Sequence, residues 1–129
     1  VNKDELGRRG ERRAFWYYLL RGYRVVARNV RFDIGEIDLV VRRRRLLVFV
    51  EVKSRQQDLA GAPHESVTGE KRRRLIRLAE RFALKHRLDD CEIRFDVLSL
   101  FWTGSRFRVE HFADAFRPLA DERRPWKWQ

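Results

Sequence analysis

Apolar positions recur along this chain with two different periods, and the switches between them predict its elements. From residue 4 to residue 21, Leu6, Gly10, Ala14, Tyr17 and Tyr18 fall at three- and four-residue spacing on one stripe, which predicts an amphipathic helix. Gly22 follows where helices commonly end in left-handed backbone. The period then drops to two. YRVVARNVR (23–31), IGEIDLVV (34–41) and LLVFVEVK (46–53) read as successive strands, with the run Arg42–Arg45 as a hairpin connection between the last two. Residues 54–67 hold Gly61 and Pro63 and no period, which predicts a loop. The helical period returns from Thr68, a suitable N-cap, to Arg87, with Leu75, Leu78, Ala79 and Phe82 as the buried stripe. EIRFDVLSLF (92–101) alternates as a strand, Thr103-Gly104 turns the chain, and a last strand is expected near 106–112. The order αβββαββ predicts an α/β fold built on a mixed sheet flanked by helices, not a pure doubly wound sheet. Residues 1–116 read as one domain and 117–129 as a polar tail carrying Pro118 and Pro125.

The third strand departs from a plain apolar pattern. Leu46, Val48, Val50 and Val52 line one face, and Leu47, Phe49, Glu51 and Lys53 the other, so a carboxylate and an ammonium emerge together at its end. On the second strand Glu36 and Asp38 share a face opposite Ile37, Leu39 and Val41. A hairpin loop of 42–45 or 43–44 pairs residues whose numbers sum to 87. Asp38 is then expected opposite Phe49 and Glu36 opposite Glu51, with all four polar groups on one face, and a one-residue slip would separate them.

Adjacent carboxylates repel, and partial burial raises that cost. A hard divalent cation, Mg2+ or Mn2+, relieves it through oxygen ligands. Asp38 and Glu51 are the expected metal ligands, joined by the backbone carbonyl of Val52. Such an ion would polarise a phosphoryl oxygen and lower the pKa of a bound water. Lys53 would orient that water or balance the developing charge. Glu11, on the first helix beside Gly7 and Gly10, is a further candidate ligand. The alternative for each is an ordinary ion pair: Glu51 with Lys53, Asp38 with an arginine, and Glu11, exposed on its helix, with Arg12 or Arg8.

Composition points toward a polyanion. The chain has 129 residues, 30 of them Lys or Arg against 19 Asp or Glu, giving a formal net charge of +11. Neutralised phosphates release condensed counterions, so such an excess favours nucleic acid, although it also suits a strongly solvated surface. Arg8, Arg12, Lys71 and Arg72 are expected near the site as phosphate contacts, and Ser54 and Arg55 follow the third strand toward the scissile region. Arg42–Arg45 reads as a solvated turn, and 56–66 as a flap. Trp126 and Trp128 flank Lys127 and could stack bases or dock on their own domain or on a partner. Asp96 shares a strand face with Arg94 and is expected to pair with it; His111 has no evident partner. The single cysteine, Cys91, excludes an intrachain disulfide, and His64, His86 and His111 are too scattered for a zinc site. VNKDELGRRGERR is too charged for a secretory h-region, and FWYYLL (15–20) is far shorter than a membrane span. A cytoplasmic protein that meets no membrane is expected.

Taken in order, GRRGERRA, NVRF, GEIDLV, FVEVKSR, SVTGEKRRRL, RFDV and EHFADAF resemble the YraN-like family, nearly to Phe116. The resemblance implies the PD-(D/E)XK nuclease superfamily and its restriction-endonuclease-like αβββαβ core, with Holliday-junction resolvases among its relatives; the expected last strand is additional. It assigns Asp38 to the first acidic position, Glu51 and Lys53 to the E-x-K positions, and Glu11 to the helix-one glutamate of resolvase-like members. Lys71 matches a polar position on the second helix. Ile37 stands where a proline often precedes the aspartate. The implied activity is metal-dependent endonuclease action, on DNA more than RNA, with a homodimer possible because duplex cutting needs two sites. Two other readings stay open: a nucleic-acid-binding module that does not cut, and an RNA-processing factor.

Overall fold

The computed structural model describes residues 1–56, 69–88, 90–117 and the backbone of 127–128. Helix α1 (Lys3–Leu19) opens on Asn2, whose side chain accepts the Glu5 N–H at 2.8 Å. Asp4 and Glu5 in its first turn suit the positive end of the helix dipole. It stops just before Gly22, which has φ +88, and the Tyr23 N–H closes the end on the Tyr18 carbonyl. Strands β1 (Arg24–Phe32), β2 (Gly35–Arg43) and β3 (Leu46–Arg55) follow, then helix α2 (Gly69–Lys85), β4 (Glu92–Trp102), β5 (Phe107–Phe116) and a short β6 (Lys127–Trp128). Thr68, the expected N-cap, and the 57–66 part of the expected flap lie outside the described residues, as do Pro118, Pro125 and Trp126.

The sheet runs β1-β2-β3-β4-β5. Neighbours are antiparallel except β3 and β4, which are parallel. A parallel pair cannot be joined by a hairpin, so the chain crosses over through α2. The mixed sheet with helices is therefore as expected. The tail contributes one element not expected from the sequence, β6, which pairs with the start of β4 at Glu92 and Ile93.

Two cores sit on the two faces. Leu47, Phe49, Ile93 and Phe95 meet Leu75, Leu78, Ala79 and Phe82 of α2. Val48, Val50, Leu98 and Leu100 meet Ala14, Tyr17 and Tyr18 of α1. The buried stripe of α1 is Leu6, Gly10, Ala14, Tyr17 and Tyr18, as its spacing predicts. Gly10 permits this contact: a Cβ there would lie 1.9 Å from the Ser54 Oγ. Gly7 has no such neighbour and borders open space.

Beneath α1, Asp96 organises a buried polar cluster. It accepts two bonds from Arg94 at 2.8 Å, one from the Tyr18 hydroxyl at 2.8 Å and one from the Asp114 N–H at 3.0 Å, and lies 2.8 Å from His111 Nε2. Burial pushes its carboxyl up, but His111, Arg94 and the Asp114 N–H outweigh that and hold it at about 2. The expected Arg94 pair is thus one edge of a larger network. The network also pins the β-bulge where β5 slips against β4, with Asp114 at φ 53.

Candidate functional site

The β2–β3 hairpin turns on Arg44-Arg45, so Arg43 pairs with Leu46 and paired numbers sum to 89. The expected sum of 87 is corrected: Asp38 is not opposite Phe49, nor Glu36 opposite Glu51. Arg44 takes φ 56, which non-glycine residues seldom adopt, and the Arg42 side chain donates back to its carbonyl. Nothing in an all-arginine run announces that turn. The two registers differ by two residues, so the face assignments along β3 are preserved.

The expectation that Glu36, Asp38, Glu51 and Lys53 share one face is also corrected. Strict alternation fails on β2. Ile37 and Val40 both enter the α2-side core, whereas Leu39 and Val41 enter the α1-side core. Asp38 therefore turns to the α1 side, lining cavities with Glu11. The β1 residue facing this step is Asn29, in left-handed backbone at φ 51, a conformation asparagine tolerates. Glu51 keeps to the α2 side, where its carboxylate lies 3.2 Å from Lys53 Nζ and 2.6 Å from Lys71 Nζ.

The two acids nevertheless feel each other's charge, because both stand where β2 and β3 part. The ladder ends at Leu39 and Val50. Two residues on, the Val52 N–H has lost its strand partner and donates instead to Asp38 Oδ2 at 2.8 Å. Val52 lies between Glu51 and Lys53, so one backbone bond ties Asp38 to the E-x-K segment. Burial raises the Asp38 carboxyl to about 7; Glu51 adds to the rise, as do Glu36 and Glu11, and the Val52 N–H opposes it. Burial lowers the Lys53 ammonium, helped by Lys71. Burial works against Lys71 too, but its bonds to Glu51 and Lys53 and the charges of Glu51 and Asp38 raise it. Lys71 is thus the cation that two carboxylates stabilise.

A cavity of about 230 Å³ is lined by Arg8, Glu11, Arg12 and Asp38 together with Arg28 and Asn29. A second, of about 270 Å³, holds Lys3, Glu36 and Ser54 beside Glu11 and Asp38. The fold therefore gathers Asp38, Glu11, Arg8, Arg12 and Ser54 on one side of Val52, and Glu51, Lys53 and Lys71 on the other. One candidate phosphate contact, Arg55, lies elsewhere. Arg55 lines a separate cavity with Ser99 and Glu110, and Arg72 donates to the Arg117 carbonyl at 3.3 Å. Lys3, Arg28 and Asn29 escaped the sequence reading; strand pairing of β1 with β2 is what brings the last two to Asp38.

Among the described residues no three or more His, Cys, Asp or Glu side chains are grouped as a metal site. Asp38 and Glu51, on the two sides of Val52, are oxygen donors of the kind taken by magnesium or manganese, hard ions commonly held by one or two carboxylates while keeping several waters. The raised Asp38 carboxyl, next to Glu51, is the donor chemistry such an ion would relieve.

An αβββαβ order, a mixed sheet between two helices and an acid–lysine cluster at the parting of two strands define a restriction-endonuclease-like α/β fold with an added C-terminal strand. The chain belongs to the UPF0102 family, YraN-like in its motifs: the model of "Uncharacterised protein family UPF0102" matches residues 10–100. It is similar to a UPF0102 protein of Syntrophotalea carbinolica, 41% identical over 86% of this chain and 90% of that protein. A UPF0102 protein of Anaeromyxobacter dehalogenans is 41% identical over 98% of this chain and 92% of its own. One from Clostridioides difficile is 37% identical over 90% of this chain and its whole length. Among the described residues no helix is long and apolar enough to cross a membrane.

Proposed function

We propose that this protein is a metal-dependent endonuclease that hydrolyses phosphodiester bonds in nucleic acid, DNA in preference to RNA. The observation that carries the reading is the placement of Asp38: a half-buried carboxylate bonded to the Val52 N–H, with Glu51 and Lys53 on either side of that residue. Asp38, Glu51 and the Val52 carbonyl would hold Mg2+ or Mn2+. When bound, such an ion supplies Lewis acidity toward a phosphoryl oxygen and lowers the pKa of a water.

The remaining roles belong to the chain. Lys53, its ammonium lowered by burial, holds or releases a proton beside the scissile phosphate more readily than a surface lysine does. Glu11 extends the acidic wall of the Asp38 cavity, and Arg8 and Arg12 stand at its rim to receive phosphate oxygens. Ser54 borders the neighbouring cavity with Glu36. The excess of 30 basic over 19 acidic residues supports a polyanionic substrate.

A second reading, a nucleic-acid-binding module that does not cut, is favoured by one observation. Glu51 is held by both Lys53 and Lys71 and has its charge balanced without a metal. Incubation with branched, single-stranded and duplex DNA and with RNA, with and without manganese, separates the readings. Manganese-dependent products that vanish in Asp38→Ala and Lys53→Ala support the enzyme. Salt-dependent binding with no product on any substrate supports the module.

A further inference from the structure

Beside the Asp38 cavity lies a larger groove, of about 820 Å³, between α1 and the turn end of the β4–β5 hairpin. Its α1 wall is a single helical stripe of Arg9, Arg12, Arg13 and Trp16, at the spacing that puts side chains on one face. The hairpin wall carries Trp102 and Phe107, the last pair of the β4–β5 ladder, with Arg106 and Arg108 around them. No acidic side chain lines the groove among the described residues. Arg9 also pairs with Glu5 at 2.7 Å.

The aromatic groups are arranged for stacking. Trp16 is 49% exposed, unusual for the largest apolar side chain. Trp102 packs edge-on against Phe107 at 5.0 Å and already carries the Arg9 guanidinium 5.2 Å from its ring centre. Guanidinium groups on either side of the open Trp16 indole suit a chain of phosphates interleaved with unstacked bases. A duplex offers phosphates but hides its base faces. Arg12 lines both this groove and the cavity that holds Asp38, so the two adjoin across that side chain.

From this juxtaposition we infer that the groove binds an unpaired strand of DNA and leads it to the Asp38 site. The substrate is then a molecule with a single-stranded segment next to the bond that is cut: a fork, a flap or an open junction rather than continuous duplex. This inference rests on the nuclease reading for the cutting but not for the binding.

The test is fluorescence anisotropy of labelled oligo(dT) of about twelve nucleotides, in EDTA so that nothing is cleaved, with a duplex of equal length and oligo(rU) in parallel. Oligo(dT) is expected to bind more tightly than duplex. Trp16→Ala should weaken it about tenfold, as loss of one stacked base predicts, and Trp16→Phe should restore most of the loss. Arg13→Ala and Arg106→Ala should each lower the slope of log affinity against log salt by about 0.7. Trp16 is exposed, so its replacement leaves the cores intact. Equal binding by Trp16→Ala and wild type, tighter binding of duplex, or binding of oligo(rU) in place of oligo(dT) would overturn the inference. Failure of the nuclease reading looks different: Trp16-dependent binding persists, but adding manganese yields no product from any forked or branched DNA.

Discussion

Asp38→Asn is the perturbation that most directly tests how the site is built. Asparagine keeps an oxygen to accept the Val52 N–H but carries no charge. Burial, with Glu51, Glu36 and Glu11, lifts the native Asp38 carboxyl from 3.8 to about 7. Between those values the folded protein binds a proton that the unfolded chain does not, so stability falls as pH rises through this window. A shift of that size corresponds to about 4 kcal/mol at about 1.4 per unit. Asp38 is only half-buried, so solvent screening reduces the expected penalty to about 2 kcal/mol at pH near 8. Asp38→Asn should therefore be more stable than wild type by about 2 kcal/mol near pH 8, or about 6–10 °C in Tm, and equal to it near pH 4. Urea denaturation of both proteins across this pH range reads the difference. Manganese favours the ionised carboxylate, so it should stabilise the wild type near pH 8 and leave the variant unmoved. A wild type whose stability is flat from about pH 4 to 8, together with a variant no more stable at the upper end, would refute the picture of a carboxylate whose burial and acidic neighbours outweigh its partners.

Other consequences follow from the same geometry. Lys71→Ala removes the ammonium that competes for Glu51, so isothermal titration should show tighter manganese binding than wild type; weaker binding would mean that Lys71 assists the ion. Gly10→Ala pushes a methyl group into Ser54 and should cost about 1–3 kcal/mol of overpacking, partly recovered by adding Ser54→Gly, as a double-mutant cycle in urea would reveal. Asp96→Asn leaves the Arg94 guanidinium facing an uncharged group in a buried site and should cost about 3–5 kcal/mol. Because the native Asp96 carboxyl is held at about 2, its contribution is present above about pH 4 and fades as pH falls toward 2, which an acid titration followed by circular dichroism would detect.

Much of this molecule was legible along the chain. The stripe Leu6–Gly10–Ala14–Tyr17–Tyr18 is buried as its spacing implies, and Leu75, Leu78, Ala79 and Phe82 face the sheet. The two faces of β3 divide between the cores as strict alternation requires. In those stretches local periodicity and tertiary burial agree, since one face of each element must leave water.

The sequence failed where backbone departs from regularity. The turn at Arg44 takes a left-handed angle that no arginine advertises. The break in alternation between Ile37 and Val40 lies across from Asn29 of the facing strand, itself in left-handed backbone. Arg28 and Asn29 reach Asp38 only through strand pairing, and the Asp96 cluster joins residues as distant as Tyr18 and His111.

By itself, then, the chain determined its elements, their buried faces and the residue types that could bear chemistry, because these depend on near-neighbour periodicity and charge. The tertiary structure alone decided that Asp38 leans toward α1 while Glu51 leans toward α2, with the Val52 N–H between them. That choice comes from where two strands stop pairing, and a lost ladder bond is set by the whole sheet rather than by any local run of residues.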